Sequence, residues 1–255
     1  AGIRGGLSRM ARPTAIPYSL KFAKSGDKAN IVLSNPFCIL RTIGDSEGKT
    51  PKHFDSEELS AIYTPYHYPI KEAQFKERNV VIIVTESISA ENSAYLCPEI
   101  YKDEQQKGYT PFLDSLITVS HSYAYSYGNG RKSIDGMPSV LSSIPMFVEP
   151  FFLTPASLNS VSGIAGELEK IGYTSAFFHG APNGSMGFQA FANATGFGKY
   201  YGIDEYCAAP TGGMDDHDGT WAIWDEPFLQ YYAKCMNSME EPFVTAMFTA
   251  SSHHP

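Results

Sequence analysis

One short stretch constrains this chain more than any other: Asn79-Val80-Val81-Ile82-Ile83-Val84 is an almost unbroken β-branched apolar run that stops abruptly at Thr85-Glu86-Ser87. β-Branched side chains suit a pleated strand, and a continuous rather than alternating apolar run marks a strand buried on both faces of a parallel sheet. Parallel neighbours need crossover connections, and helical periodicity downstream supplies them. Leu158, Val161, Ile164, Ala165, Leu168 and Ile171 predict a helix over 157–171, stopped by Gly172 and followed by a strand over 174–178. Asp225 as cap and Pro227 near the start predict a helix over 226–239, then a strand over 242–249. Thr110 and Pro111 open a further helix to Ser120, and 122–127 reads as another strand. Helices alternating with apolar strands predict an α/β sandwich with a mostly parallel central sheet flanked by helices.

With 255 residues, 43% of them hydrophobic, the chain can bury a sizeable core as one large domain or a domain plus an appendage. Its texture changes near residue 75. Pro13, Pro17, Pro36, Pro51, Pro65 and Pro69 break the earlier part into short pieces, so 1–75 reads as a lead-in or appendage and 76–255 as the domain. The net charge of -8 comes from acids spread along the chain without a basic stripe, which excludes a nucleic-acid partner. No apolar run of about 18 residues occurs, and Ala1-Gly2-Ile3-Arg4 lacks the apolar core of a signal peptide, so the chain itself is not expected to span a bilayer. Cys38, Cys97, Cys207 and Cys235 form no Cys-x-x-Cys pair, which excludes a zinc knuckle and a dithiol redox motif.

In open α/β sheets ligands bind beyond the carboxyl ends of the strands, and three predicted strand ends carry distinctive chemistry: Glu86, His179 and His253-His254. A carboxylate such as Glu86 is a natural ligand for a hard cation, or else a solvated group at a strand end. The turn from Gly128 to Lys132 predicts the opening of a helix running from Ser133 through Leu141 to Ser143. Ser133 then sits where backbone N–H groups favour an anion, with Arg131 and Lys132 adding positive charge; it reads as a candidate nucleophile if a metal lowers its pKa, or as a helix cap. The segment is not a phosphate-binding P-loop, because the required glycine spacing is absent. Asn183 and Ser185 offer hydrogen bonds to a ligand or form a turn, and Asp215-Asp216-His217-Asp218 reads as a solvated loop.

Taken in order, Val84-Thr85-Glu86-Ser87, Gly130-Arg131-Lys132-Ser133-Ile134-Asp135-Gly136, Phe177-Phe178-His179-Gly180, Trp221-Ala222-Ile223-Trp224-Asp225-Glu226-Pro227 and Ser251-Ser252-His253-His254-Pro255 resemble the lipoteichoic acid synthase family, phosphoglycerol transferases of the sulfatase and alkaline phosphatase superfamily. The resemblance implies the first part of an extracytoplasmic catalytic domain, with its C-terminal part missing. It assigns Glu86 and Ser133 to a divalent metal, manganese first and magnesium or zinc as alternatives, and makes Ser133 the nucleophile. His179 and His253 would contact the head group, with Asn183, Ser185 and Arg131 as further substrate-binding candidates. The remaining metal ligands, an Asp-His pair, would lie beyond Pro255, so these 255 residues alone are expected to be inactive. The implied donor is a phospholipid head group and the acceptor a glycan or lipid. The implied place is the bacterial cell envelope, on the extracytoplasmic (periplasmic) side of the inner membrane, held by membrane helices outside this chain.

After His179-Gly180 the family carries an acidic residue, a tryptophan and an arginine where this chain has Ala181, Met186 and Phe188, which leaves the head group open. A phosphoethanolamine transferase is the nearest alternative. A sulfuric or phosphoric ester hydrolase is another, although the Cys/Ser-x-Pro-x-Arg setting of sulfate-ester hydrolases is absent at Ser133. A non-catalytic extracytoplasmic binding domain would retain the histidines without a working metal site.

Overall fold

The computed structural model describes residues 16–23, 26–44, 52–64, 66–68, 74–102, 108–123, 125–146 and 149–253. Four strands form one sheet: β1 (Val80–Val84), β2 (Thr174–His179), β3 (Lys199–Tyr201) and β4 (Phe243–Phe248), in the order β1-β4-β2-β3 with every neighbour parallel. The helices described are α1 (Gly26–Val32), α2 (Asn35–Thr42), α3 (Ser56–Ile62), α4 (Pro111–Ile117), α5 (Ser133–Ser142), α6 (Ile164–Glu169), α7 (Phe188–Ala194), α8 (Ile203–Ala208) and α9 (Asp225–Asn237). The expected α/β architecture is the one observed.

Alternation along the strands separates two apolar layers. On one face, Phe177, Val244, Ala246 and Phe248, with Val80, Ile82 and Val84 beside them, pack against Ile134, Met137 and Leu141 of α5, Ala165 of α6 and Phe188 and Phe191 of α7. On the other, Ala176, Phe178 and Met247 pack against Ile203 and Tyr206 of α8 and Phe228, Tyr231 and Tyr232 of α9. Inside this second layer the Tyr232 hydroxyl shares a hydrogen bond with Thr245 Oγ1 at 2.6 Å, satisfying two buried hydroxyls at once. Residues before the sheet join the first layer: Leu20, Ala23 and Ala29 are buried in it, and Asn193 Nδ2 donates to the Leu20 carbonyl at 3.2 Å.

Several expectations need correction. β1 is not buried on both faces, for Val81 and Ile83 are 46% and 49% exposed. The reason is position: among the described residues β1 is an edge strand, and the layer containing α8 and α9 packs on β2 and β4. Residues 122–127 form no strand among the described residues. The helix expected over 157–171 narrows to α6, because Asn159-Ser160-Val161-Ser162-Gly163 is a run of poor helix formers and a separate 3₁₀ turn occupies Pro155–Leu158. α9 starts one residue early, with Trp224 rather than Asp225 at the cap position.

β3 was not expected. Its three residues hold through cross-strand aromatic pairs, Phe177 on Tyr200 and Phe178 on Tyr201, with ring centroids 5.6 and 4.6 Å apart and nearly parallel planes. All four cysteines are free, and no helix among the described residues is long and apolar enough to cross a membrane.

The chain entering β3 passes very close to α6. Gly196 has φ +90°, and a Cβ there would lie 2.5 Å from the Cα and 2.9 Å from the N of Gly166, while the Gly166 N–H donates to the Thr195 carbonyl at 3.0 Å. Backbone cannot rotate out of the way, so Gly196→Ala should destabilise the chain by at least about 2 kcal/mol, measured by urea denaturation.

Candidate active site

The site begins where β1 and β4 end. Beyond their last ladder pair, Val84 with Phe248, the Thr249 N–H donates to the Val84 carbonyl at 3.1 Å and the Glu86 N–H donates to Thr249 Oγ1 at 2.8 Å. This stitch fixes the Glu86 backbone. Its side chain is buried at 7% exposure, and both carboxylate oxygens accept hydroxyls: Oε1 from Ser87 at 2.7 Å and Oε2 from Ser133 at 2.7 Å. Ser87 reaches Glu86 from a left-handed backbone with φ +51°, a conformation that costs a non-glycine residue about 1 kcal/mol or more.

Ser133 is the first residue of α5, so the helix N-terminus faces the same point as the carboxylate. Ile134, Met137 and Leu141 root this helix in the core. Asp135, 2% exposed, turns its carboxylate back so that Oδ2 accepts the Arg131 and Lys132 N–H groups at 3.3 and 3.2 Å. Gly130 lies directly against it at φ +92°, and a Cβ there would come within 2.4 Å of the Asp135 Cβ. Asp135 and Gly130 thus shape the turn that delivers Ser133, a role the sequence reading did not assign.

At the end of β2, His179 is fully buried, with Nδ1 3.1 Å from the Phe248 carbonyl oxygen. A carbonyl can only accept, so Nδ1 carries the proton and Nε2 is a bare acceptor, which has no hydrogen-bond partner among the described residues. Burial pushes the pKa of His179 down to about 4, opposed by the Phe248 carbonyl and the Glu86 charge. Trp221 packs its ring 5.3 Å from His179 and 4.8 Å from the exposed His253, and its indole N–H donates to Ser185 Oγ at 3.1 Å.

Two aspartates hold these loops. Asp218 Oδ1 accepts the N–H groups of Thr220, Trp221 and Ala222 at 2.7, 2.7 and 3.2 Å. Burial disfavours this carboxylate, but the three amides outweigh it and keep its pKa below the usual range. Asp225 accepts the Ala250 and Ser251 N–H groups at 2.8 and 3.0 Å, and its own N–H donates to Ser251 Oγ at 2.6 Å, clamping the chain just before His253.

The structure therefore brings Glu86 into contact with Ser133, and gathers His179, Ser185 and His253 around Trp221. Asn183 turns elsewhere: its Nδ2 donates to both Glu205 carboxylate oxygens at 3.1 and 2.9 Å, binding the loop after β2 to α8. Arg131 is exposed, with its backbone on Asp135. Asp215-Asp216-His217-Asp218 is not the solvated loop expected: only Asp215 is exposed, while Asp216 accepts the Tyr206 hydroxyl at 2.6 Å and Asp218 is turned inward to hold backbone N–H groups. His254 lies outside the described residues.

The sulfatase family model matches residues 78–255, the span that contains the whole sheet and every one of these groups. The chain belongs to the sulfatase family. Among curated relatives, this sulfatase-family chain is 24% identical over 229 residues to the lipoteichoic acid synthase-like protein YvgJ of Bacillus subtilis (strain 168), covering 86% of the chain and 35% of that protein. It is 26% identical over 214 residues to lipoteichoic acid synthase 1 of the same organism, covering 78% and 31%. The chain thus spans about a third of the length of these relatives. In fold it matches an alkaline phosphatase superfamily protein from Vibrio parahaemolyticus (TM-score 0.60, 23% identity, 72% of this chain and 42% of that one). It also matches the lipoteichoic acid synthase LtaP from Listeria monocytogenes (TM-score 0.55, 21% identity, 70% and 41%).

The buried histidine has a consequence for stability. Unfolded, His179 takes up a proton near pH 6.5; folded, only near pH 4. Its neutral form is therefore favoured by folding, and this contribution is full above pH 6.5 and is lost as pH falls toward 4, by about 3 kcal/mol in all. The stability gap between the native chain and His179→Asn should narrow over that range, as read by urea denaturation across the acid limb.

Proposed function

We propose that this chain carries the nucleophile side of a phosphoglycerol transferase site, in which Ser133 attacks the phosphorus of a lipid phosphodiester. The observation that supports it most is the 2.7 Å contact between Ser133 Oγ and Glu86 Oε2, made at the carboxyl edge of the sheet and at the start of α5. The lipoteichoic acid synthases among its relatives favour phosphoglycerol over other groups.

The residues fit a hard divalent cation: a buried carboxylate and a hydroxyl, two oxygen donors held together, are the ligand chemistry such ions take. Glu86 and Ser133 would hold it, with manganese preferred over magnesium or zinc. When bound, a cation of this kind lowers the hydroxyl pKa and neutralises charge developing on the phosphoryl oxygens. Glu86 keeps the Ser133 hydroxyl in place, and the helix N-terminus favours the anionic phosphate beside it. The Ser133 Oγ–P bond forms as the P–O bond to the lipid alcohol breaks, and the alcohol leaves with a proton. An acceptor hydroxyl on a glycan or lipid then attacks the phosphoserine and restores Ser133. His179 and His253 flank the head group, with Ser185 behind them.

In this reading the remaining metal ligands come from polypeptide outside these 255 residues, which alone do not turn over substrate. In the same reading the reaction takes place on the extracytoplasmic side of the bacterial inner membrane, which the likeness to lipoteichoic acid synthases supports. Residues 1–75 act as the lead-in from the membrane.

In a polypeptide that includes the whole catalytic domain, Ser133→Ala should abolish release of the head group from labelled phosphatidylglycerol, while Ser133→Thr should retain turnover; normal turnover by Ser133→Ala sinks the assignment. In the same polypeptide, Glu86→Gln should weaken manganese binding by at least about tenfold, read by calorimetric titration.

A further inference from the structure

The loop that follows β2 carries Ser185, whose Oγ accepts the Trp221 indole N–H at 3.1 Å. Its backbone is not relaxed: Gly184, Met186 and Gly187 have φ of +86°, +49° and +75°. At Met186 the Cβ disfavours that region, so the path persists only because surrounding groups enforce it. Phe152 backs the end of the loop, where a Cβ on Gly187 would come within 2.6 Å of its ring. The start is gripped at Asn183 from two directions. From α8, Glu205 accepts the side-chain amide at 3.1 and 2.9 Å. From the lead-in, 162 positions earlier, Lys21 Nζ donates to the Asn183 carbonyl at 3.0 Å. The lysine stem rests on the next residue, for a Cβ on Gly184 would lie 3.2 Å from both Cδ and Nζ of Lys21. Lys21 is rooted as well. It ends the 3₁₀ turn Ile16–Lys21, Leu20 beside it is buried in the core, and Asn193 Nδ2 of α7 donates to the Leu20 and Lys21 carbonyls at 3.2 and 3.5 Å. A lysine fixed at its root, along its stem and at its tip has given up the freedom that a surface lysine keeps.

We propose that Lys21 is a positioning residue: from the lead-in, it holds the loop after β2 in the conformation that presents Ser185 to Trp221, and so keeps one wall of the candidate site in place. The lead-in is then a working part of the site and not only a connection to it. What the wall does for substrate rests on the phosphoryl-transfer reading above; what Lys21 does for the loop does not.

Within the loop the Ser185 N–H donates to the Pro182 carbonyl at 2.8 Å and the Gly187 N–H to the Gly184 carbonyl at 3.1 Å, so amide hydrogen exchange reports on its closure. In a polypeptide that includes the whole catalytic domain, Lys21→Met, which keeps an apolar stem and removes the donor, should speed exchange at Ser185 and Gly187 by about tenfold and leave the β4 amides unchanged. Lys21→Arg, which keeps a donor, should stay close to the native rates. Unchanged loop exchange in Lys21→Met overturns the proposal. Faster exchange throughout β4 as well shows that Lys21 merely supports the fold, and also overturns it, as does an arginine variant that behaves like the methionine one. With labelled phosphatidylglycerol, Lys21→Met should raise KM about fivefold with kcat held within about twofold, and Lys21→Arg should restore it. A loosened loop with unchanged KM overturns the link to the site. If the native polypeptide releases no head group, the phosphoryl-transfer reading fails, and the exchange contrast between the methionine and arginine variants still upholds or overturns the hold of Lys21 on the loop.

Discussion

Val84, Phe248 and His179 lie on one line across the sheet, because β4 pairs with β1 on one side and β2 on the other at the same residue. The rest of the site is measured from that line. One residue beyond it Thr249 joins the two strand ends, and two beyond Val84 comes Glu86. The Phe248 carbonyl itself sets the tautomer of His179. Side chains alternate along a strand, so a slip of one residue in either pairing would send Phe248 out of the layer shared with α7 and carry the site apart with it. Burial of Phe177, Val244, Ala246 and Phe248 in one layer, and of Phe178 and Met247 in the other, makes such a slip costly.

Around this line the fold tolerates local expense. Ser87 adopts a left-handed backbone, Gly130 is wedged against a buried aspartate, and His179 is kept without charge in the interior. Outliers of this kind persist only where the surroundings over-determine them, and here they converge on Glu86, Ser133 and His179. The aspartates do the fixing. Asp135, Asp218 and Asp225 each direct carboxylate oxygens at backbone N–H groups, so that three loops reach the sheet edge with little freedom.

Much of this was legible in the residues themselves. The β-branched run, the helix opening at Ser133 and the strand ending in His179 are local signals, and each lies where expected. What escaped depends on contacts distant in sequence. β3 has only Lys199, Tyr200 and Tyr201, too short for any periodicity, and exists because Phe177 and Phe178 offer it aromatic faces. Residues 122–127 alternate a small residue with tyrosine as a strand would, yet form no strand among the described residues. Asp225 reads as a helix cap and Trp221 only as part of a block resembling the family; that the one clamps the end of β4 and the other touches two histidines follows only from the packed sheet. Asn183 shows the opposite error, a plausible ligand by position whose amide is engaged by Glu205.

The two margins of the sheet differ in how they meet other molecules. β3 is short and begins with an exposed lysine, features that discourage a foreign strand from adding on. β1 is longer, wholly apolar, and shows Val81 and Ile83 to solvent. Among the described residues β1 pairs on one side only, so for these 255 residues by themselves its free edge is the place where intermolecular pairing would begin, with the net charge of -8 as the counterweight at low salt.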